Sequence, residues 1–243
     1  AEQYRQAVAA AARPSESRLK WTPRDFGTAT VIVCGLVIAL TSLRGNKPLR
    51  VCFQLVLIGY LGLINGDMLS QAMLLGWARY GIPWQNAFGL VFLTASAVMI
   101  PIFSKRNAYC THVCPHGAVQ QLLRNRLPWR LSFSPRLARV AAMLPAALLA
   151  WCVVVGMADL QFSLVDIEPF HAWLFRVAGW ATISIAVIGL VASAFKPMAY
   201  CRFGCPTGAM LNYLRRHSLS RRWTRRDWFA LGLAVSACLF LLF

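Results

Sequence analysis

An all-α, polytopic membrane bundle of about six transmembrane helices is the fold class this sequence predicts, and three observations predict it. Of 243 residues, 58% are hydrophobic and only 14% charged, against roughly 25% charged in soluble domains. Uncharged runs near the ~20 residues a membrane helix needs recur along the chain. The charges sit between those runs and not within them. A mean hydropathy of +0.54 argues against a soluble enzyme and against disorder.

Six runs are candidate spans: Phe26–Leu43, Val51–Gly66, Tyr80–Ser104, Val140–Ala158, Val177–Phe195 and Trp228–Phe243. The second and the last are short. Met68–Ala78 is too short to cross and reads as an interfacial or re-entrant helix. Before the first span, Trp21-Thr22-Pro23 has the order of a helix entry, with Thr22 as N-cap and Pro23 at the first helical position. Residues 1–25 therefore form an N-terminal polar segment and helix entry, and 26–243 the transmembrane domain. The chain starts at Ala1 with an Ala-rich polar stretch that lacks signal-peptide order. That start fits a processed or excised chain, with a periplasmic domain expected upstream.

The net charge of +17 is distributed unevenly. Connections 44–50, 105–139 and 196–227 hold eighteen Lys and Arg against Asp227 alone; segments 1–25, 65–79 and 158–176 balance seven of each sign. By the positive-inside rule the basic connections are cytoplasmic, which predicts a multi-pass protein of the bacterial inner membrane with both termini outside. Basic patches also suit nucleic acid. Here they flank hydrophobic spans, so topology and anionic membrane lipids account for them, and no nucleic-acid partner is expected.

An internal repeat carries the chemistry. Tyr109-Cys110-Thr111-His112-Val113-Cys114-Pro115-His116-Gly117-Ala118 recurs as Tyr200-Cys201-Arg202-Phe203-Gly204-Cys205-Pro206-Thr207-Gly208-Ala209, at a constant offset of 91. The repeat units run over about 87–160 and 178–243. The offset crosses two spans, so both copies face one side, as in a parallel repeat about the membrane normal. A four-residue step puts two thiols on one helical face, and Pro after the second can open a new helix. The same C-x3-C-P ends the bacterial ferredoxin run. Two pairs supply the four thiolates of one [4Fe–4S] or [2Fe–2S] cluster. A four-cysteine zinc site in a membrane scaffold or assembly factor is the rival reading. Cytoplasmic thiols stay reduced, so disulfides are not expected. Cys34, Cys52, Cys152 and Cys238 lie within spans and read as small packing residues. His112 and His116 flank the first pair, but Phe203 stands at the position equivalent to His112, which argues against a histidine ligand there. No histidine lies near a span centre, which argues against a bis-His haem. No nucleophile–base pair is evident either, so an electron-transfer subunit is expected and not a stand-alone enzyme.

The twin Tyr-Cys-x3-Cys-Pro-x-Gly-Ala motif between membrane helices resembles the NosR/NapH-type membrane iron–sulfur proteins. Asn65-Gly66-Asp67-Met68-Leu69-Ser70 and Glu168-Pro169-Phe170 add to the resemblance, which covers about residues 26–215. It implies Cys110, Cys114, Cys201 and Cys205 as ligands of an iron–sulfur cluster, expected to be [4Fe–4S]. It also implies electron relay between the quinone pool or a cytoplasmic ferredoxin-like donor and a periplasmic reductase or flavin acceptor, with a quinone, or a flavin on a partner domain, as second carrier. The chain departs from the pattern in two respects: it has no C-x2-C-x2-C-x3-C ferredoxin run, and no flavin-binding domain before its spans.

Overall fold

A computed structural model describes residues 22–124, 134–157, 168–173, 179–217, 228 and 231–232. All regular structure among them is helical. The expected sixth span lies almost wholly outside the described residues.

The first helix, α1 (Pro23–Leu40), begins where the sequence places it. Thr22 is its N-cap, Pro23 opens it, and a reciprocal capping box joins Thr22 to Asp25. Asp25 also accepts the Gly89 amide at 3.1 Å, so one carboxylate ties together the starts of two helices. Helix α2 (Lys47–Leu57) is capped by Asn46 and runs on as a π-helical stretch, Ile58–Asn65, ended by Gly66 at φ 67°. Glycine pays no steric penalty at that left-handed angle. Helix α3 (Gln71–Tyr80), with Ser70 as N-cap, is the expected short element.

The run Tyr80–Ser104 does not form one helix. Helix α3 ends at Gly81, where φ is 87°, and α4 (Phe88–Ser104) starts only after a turn. Gly81 and Pro83 break a stretch that is uncharged throughout. Helix α5 (Pro115–Leu123) follows the first cysteine pair. Helices α6 (Pro135–Met157), α7 (Trp180–Phe195), α8 (Ala199–Phe203) and α9 (Pro206–His217) complete the described part, with a 3-10 turn, Pro169–Trp173, between α6 and α7. Pro23–Leu40, Lys47–Asn65 and Pro135–Met157 are long and apolar enough to cross a membrane; Phe88–Ser104 and Trp180–Phe195 are apolar but shorter.

Hydrogen bonds locate the two ends of this bundle. At one end Asp67 accepts from Arg24 at 2.7 Å and from Thr28 at 2.8 Å, and Asn65 donates to Thr28 at 2.9 Å. At the other, Arg106 reaches the carbonyls of Ala39 and Leu40 at 3.3 Å each, closing the C-terminus of α1. Alternating faces would leave the cysteine connections and segments 65–79 and 158–176 on opposite sides of a ~30 Å core. Instead they touch. Leu69 donates its amide to the Tyr109 hydroxyl at 2.8 Å, and Gln71 donates to Thr207 at 3.0 Å. His116 packs edge-on against Phe170 and Trp173. Each cysteine connection is therefore re-entrant: it leaves one end of the bundle and meets, inside it, chain that has dipped from the other. This interior carries the main core, including Leu57, Leu61, Leu69, Tyr109, Val113, Tyr200 and Leu211.

Candidate metal centre

The Cys-Pro-x-Gly sequence explains its own local structure. Cys114 is the N-cap of α5 and Pro115 its first residue; Cys205 and Pro206 stand in the same relation at the start of α9. In both copies the second cysteine's amide bonds back to the motif tyrosine: Cys114 to the Tyr109 carbonyl at 2.8 Å, Cys205 to that of Tyr200 at 2.9 Å. Sulfur then occupies the place usually held by a capping oxygen, facing the free amides of a helix start. The Gly208 amide lies 3.2 Å from the Cys205 sulfur. The Cys114 thiol is faced likewise by the amides of Gly117 and His116.

The glycine of the motif is a packing necessity. A Cβ on Gly117 would lie 2.2 Å from the Cys110 carbonyl oxygen, and one on Gly208 2.9 Å from that of Cys201. Real Cβ atoms do not approach so closely, so only glycine lets the new helix start pass over the first cysteine. The motif contained this signal as a shared Gly, although spacing alone did not state its role.

Cys110, Cys114 and Cys205 are buried, Cys201 is half-buried, and all four are free thiols. They occupy one electrostatic neighbourhood. Burial pushes the Cys110 thiol up to about 12, with the neighbouring Cys114 adding to the shift. Burial, then the charges of Cys110 and the other thiols, drives Cys201 and Cys205 well above the ordinary thiol range. Four thiolates could not coexist there unaided; a bound cation that displaces the protons would let them. Among the described residues no three His, Cys, Asp or Glu are drawn together tightly enough for a single metal ion. Four cysteine thiols with helix-start amides beside them are a donor set that would suit an iron–sulfur cluster.

The other cysteines stand apart. Cys152 is buried beside Val155, Ala72 and Leu75 and is a packing residue. Cys34 and Cys52, expected to pack as well, are exposed on the faces of α1 and α2. Cys238 lies outside the described residues.

Sequence reasoning did not single out Gln120, and it named Tyr109, His112, His116 and Glu168 without the contacts they make. The Tyr109 hydroxyl holds the Leu69 amide. Gln120, fully buried, donates to the Cys201 sulfur at 3.2 Å. His116 is 1% exposed and neither ring nitrogen has a partner among the described residues; burial pushes its imidazole down to about 4, so it is neutral. Its ring stands edge-on to Tyr200 at 5.0 Å. Glu168 is 3% exposed and accepts the Gln71 amide at 2.6 Å, a cap on the start of α3. Burial still raises its carboxyl to about 7, against the lowering effect of those amides. His112, half-buried, has Nδ1 2.8 Å from its neighbour's Thr111 hydroxyl.

The site and the fold define a class: a helical protein with apolar helices of membrane-crossing length and paired cysteines capping two helices. Comparison agrees. A family of 4Fe-4S binding domains matches twice, at residues 85–134 and 178–228, and each match contains one cysteine pair. The chain is similar to Protein NirI of Paracoccus denitrificans (25% identity over 215 residues, 79% of this chain and 31% of that one). It is also similar to Regulatory protein NosR of Pseudomonas aeruginosa (27% over 231 residues, 84% and 32%) and of Stutzerimonas stutzeri (26% over 149 residues, 58% and 19%). No solved structure matches it. Within the class, the chain resembles the NosR/NapH-type iron–sulfur membrane proteins. It spans about a third of the length of NirI and of the Pseudomonas NosR.

Proposed function

We propose that Cys110, Cys114, Cys201 and Cys205 jointly bind one [4Fe–4S] cluster, and that the chain relays electrons across the membrane. The donor in this reading is the quinol pool or a cytoplasmic ferredoxin-like protein, and the acceptor a periplasmic flavin or reductase. The observation that carries it is the neighbourhood of four free thiols, three buried and one half-buried, contributed by two segments 91 residues apart. The cluster, when bound, supplies one-electron chemistry. The residues around it do the rest. The capping amides at Gly117 and Gly208 face the thiolates, and the buried rings of Tyr109, Tyr200 and Phe170, with the partly buried Trp173 against them, limit the access of water. A four-cysteine zinc site in a membrane scaffold is the rival reading, and metal content separates the two. The re-entrant placement favours relay, because chain from both ends meets beside the thiols and the distance left to a second carrier shrinks.

Anaerobic purification with iron, sulfide and EPR analysis tests this. The expected result is iron and sulfide in cluster proportions with a reducible EPR signal. Stoichiometric zinc without iron would overturn it. Substitutions in one pair that halve the iron and leave the remaining signal unchanged would replace the joint site by two independent centres. Reporter fusions test orientation: 105–139 and 196–227 should read cytoplasmic, and 158–176 periplasmic.

A further inference from the structure

We infer that Gln120 is a positioning residue that donates an amide N–H to the Cys201 sulfur and makes the two halves of the cysteine site electronically unequal. This rests on the cluster reading above. Gln120 belongs to α5, the helix capped by the first cysteine pair, yet its side chain serves the second pair. Its Nε2 lies 3.2 Å from the Cys201 Sγ. Its Oε1 lies 3.5 Å from the Cys201 amide nitrogen and 2.9 Å from the Ser193 hydroxyl.

Chemistry fixes which way the amide points. The backbone N–H of Cys201 can only donate, so the atom facing it is the oxygen. A thiolate bound to iron can only accept, so the atom facing it is the nitrogen. Both requirements give the same orientation. Ser193 and Gln120 are both fully buried, and the single hydroxyl proton of Ser193 is shared between the Gln120 Oε1 at 2.9 Å and the Gly189 carbonyl at 2.7 Å, which backs the amide from α7. The side chain is therefore held in place before any cluster arrives.

The repeat supplies the control. The residue 91 positions on from Gln120 is Leu211, which is also fully buried. Leucine has no N–H to offer. The capping amides are shared by both halves, but the side chains that face the sulfurs differ: Gln120 at Cys201, against Asn107 at Cys110 and Tyr109 at Cys114. A hydrogen bond to a ligand sulfur withdraws charge from it and favours the reduced cluster, raising the potential. Gln120 accordingly sets the Cys201 corner apart from the Cys110 corner.

The test uses the full chain, purified anaerobically. Gln120→Met keeps the length and bulk and removes the donor. Iron and sulfide content, the midpoint potential from an EPR-monitored titration, and exchangeable-proton couplings in H2O against D2O are measured. The expected result is wild-type iron, a more negative potential, and loss of one exchangeable coupling. Ser193→Ala, which frees the amide without touching the thiol, should shift the potential the same way by less. An iron-loaded Gln120→Met protein with unchanged potential and couplings overturns the assignment. If Gln120→Met loses its iron, Ser193→Ala decides: a shifted potential supports the role and an unchanged one overturns it. A wild-type chain that carries no iron would instead sink the cluster reading, a distinct outcome.

Discussion

The two cysteine segments share a backbone and differ in what surrounds it. Both place the second cysteine at a helix start, both return its amide to the motif tyrosine, and both need glycine to clear the first cysteine's carbonyl. Beyond that, paired positions diverge. Tyr109 holds the Leu69 amide, whereas the Tyr200 ring lies against His116 and Gly189. His116 has no hydrogen-bond partner among the described residues, whereas its counterpart Thr207 is bonded to Gln71. Gln120 reaches a sulfur, and Leu211 cannot. The shared features are those that seat thiolates. The divergent ones are those that connect each half to its own surroundings. Substitutions in the shared set should act alike in both halves, and those in the divergent set should not.

The largest effect is expected at the thiols. Cys110→Ala and Cys201→Ala should each remove most of the iron, because a single pair cannot complete a four-thiolate shell. Cys34→Ala and Cys152→Ala should leave the iron in place. Iron analysis of the four variants, prepared side by side, checks both halves of the statement. Equal losses from the two pairs would uphold the shared role, whereas loss from one pair only would break the comparison.

Acid should act next most strongly, and on both halves together. Burial, with mutual repulsion among the thiols, raises the folded thiols above their ordinary range. In the cluster-free protein they are therefore protonated at neutral pH, and loading must expel those protons. Cluster affinity should thus fall as pH falls and rise toward alkaline pH. Iron retained under a fixed chelator challenge across a pH series measures it; a flat profile would contradict the buried-thiol account.

Much of this was legible before any coordinates. Thr22-Pro23 announces the start of α1, because a capping hydroxyl followed by proline is a local signal. The offset-91 repeat picks out four of the eight cysteines. Depth was not legible. Charge counting assigns the ends of connections to faces but does not register how far a loop tip dips inward, so Leu69 and Tyr109 appeared to be on opposite sides. Hydropathy does not separate helix from turn within an uncharged run, which is why the break at Gly81 and Pro83 was missed. Nor does a small apolar side chain declare whether it packs or faces outward, as the exposure of Cys34 and Cys52 illustrates.

At the glycines the effect should be moderate, and graded between the halves. Helix propensity alone would favour Ala over Gly by ~1 kcal/mol. Here the added methyl meets a backbone oxygen, which cannot swing aside, and overpacking costs ~1–3 kcal/mol. Gly117→Ala should destabilise more than Gly208→Ala, since its clash is closer, at 2.2 against 2.9 Å. Thermal unfolding in detergent checks the order. Stabilisation by either substitution would show that the helix start does not pass over the cysteine as described.

The smallest effect should come from the pair His116 and Thr207, and there the two halves should differ in sign. Thr207 accepts from Gln71 at 3.0 Å inside the protein, where both residues are buried. Thr207→Val keeps the shape but leaves the Gln71 amide without that acceptor, at a cost of ~1 kcal/mol or somewhat more. His116 is a buried ring whose two nitrogens lack partners among the described residues, so it already bears a desolvation cost. His116→Leu removes the polar atoms while keeping most of the bulk, and replacing an unsatisfied buried polar group by an apolar one is close to neutral or stabilising. Unfolding midpoints of the two variants, measured with iron content held equal, give the comparison. Should His116→Leu prove the more damaging, the ring has a partner in the loaded protein. The first half would then hold a polar contact that the second, with Thr207, makes to Gln71 instead.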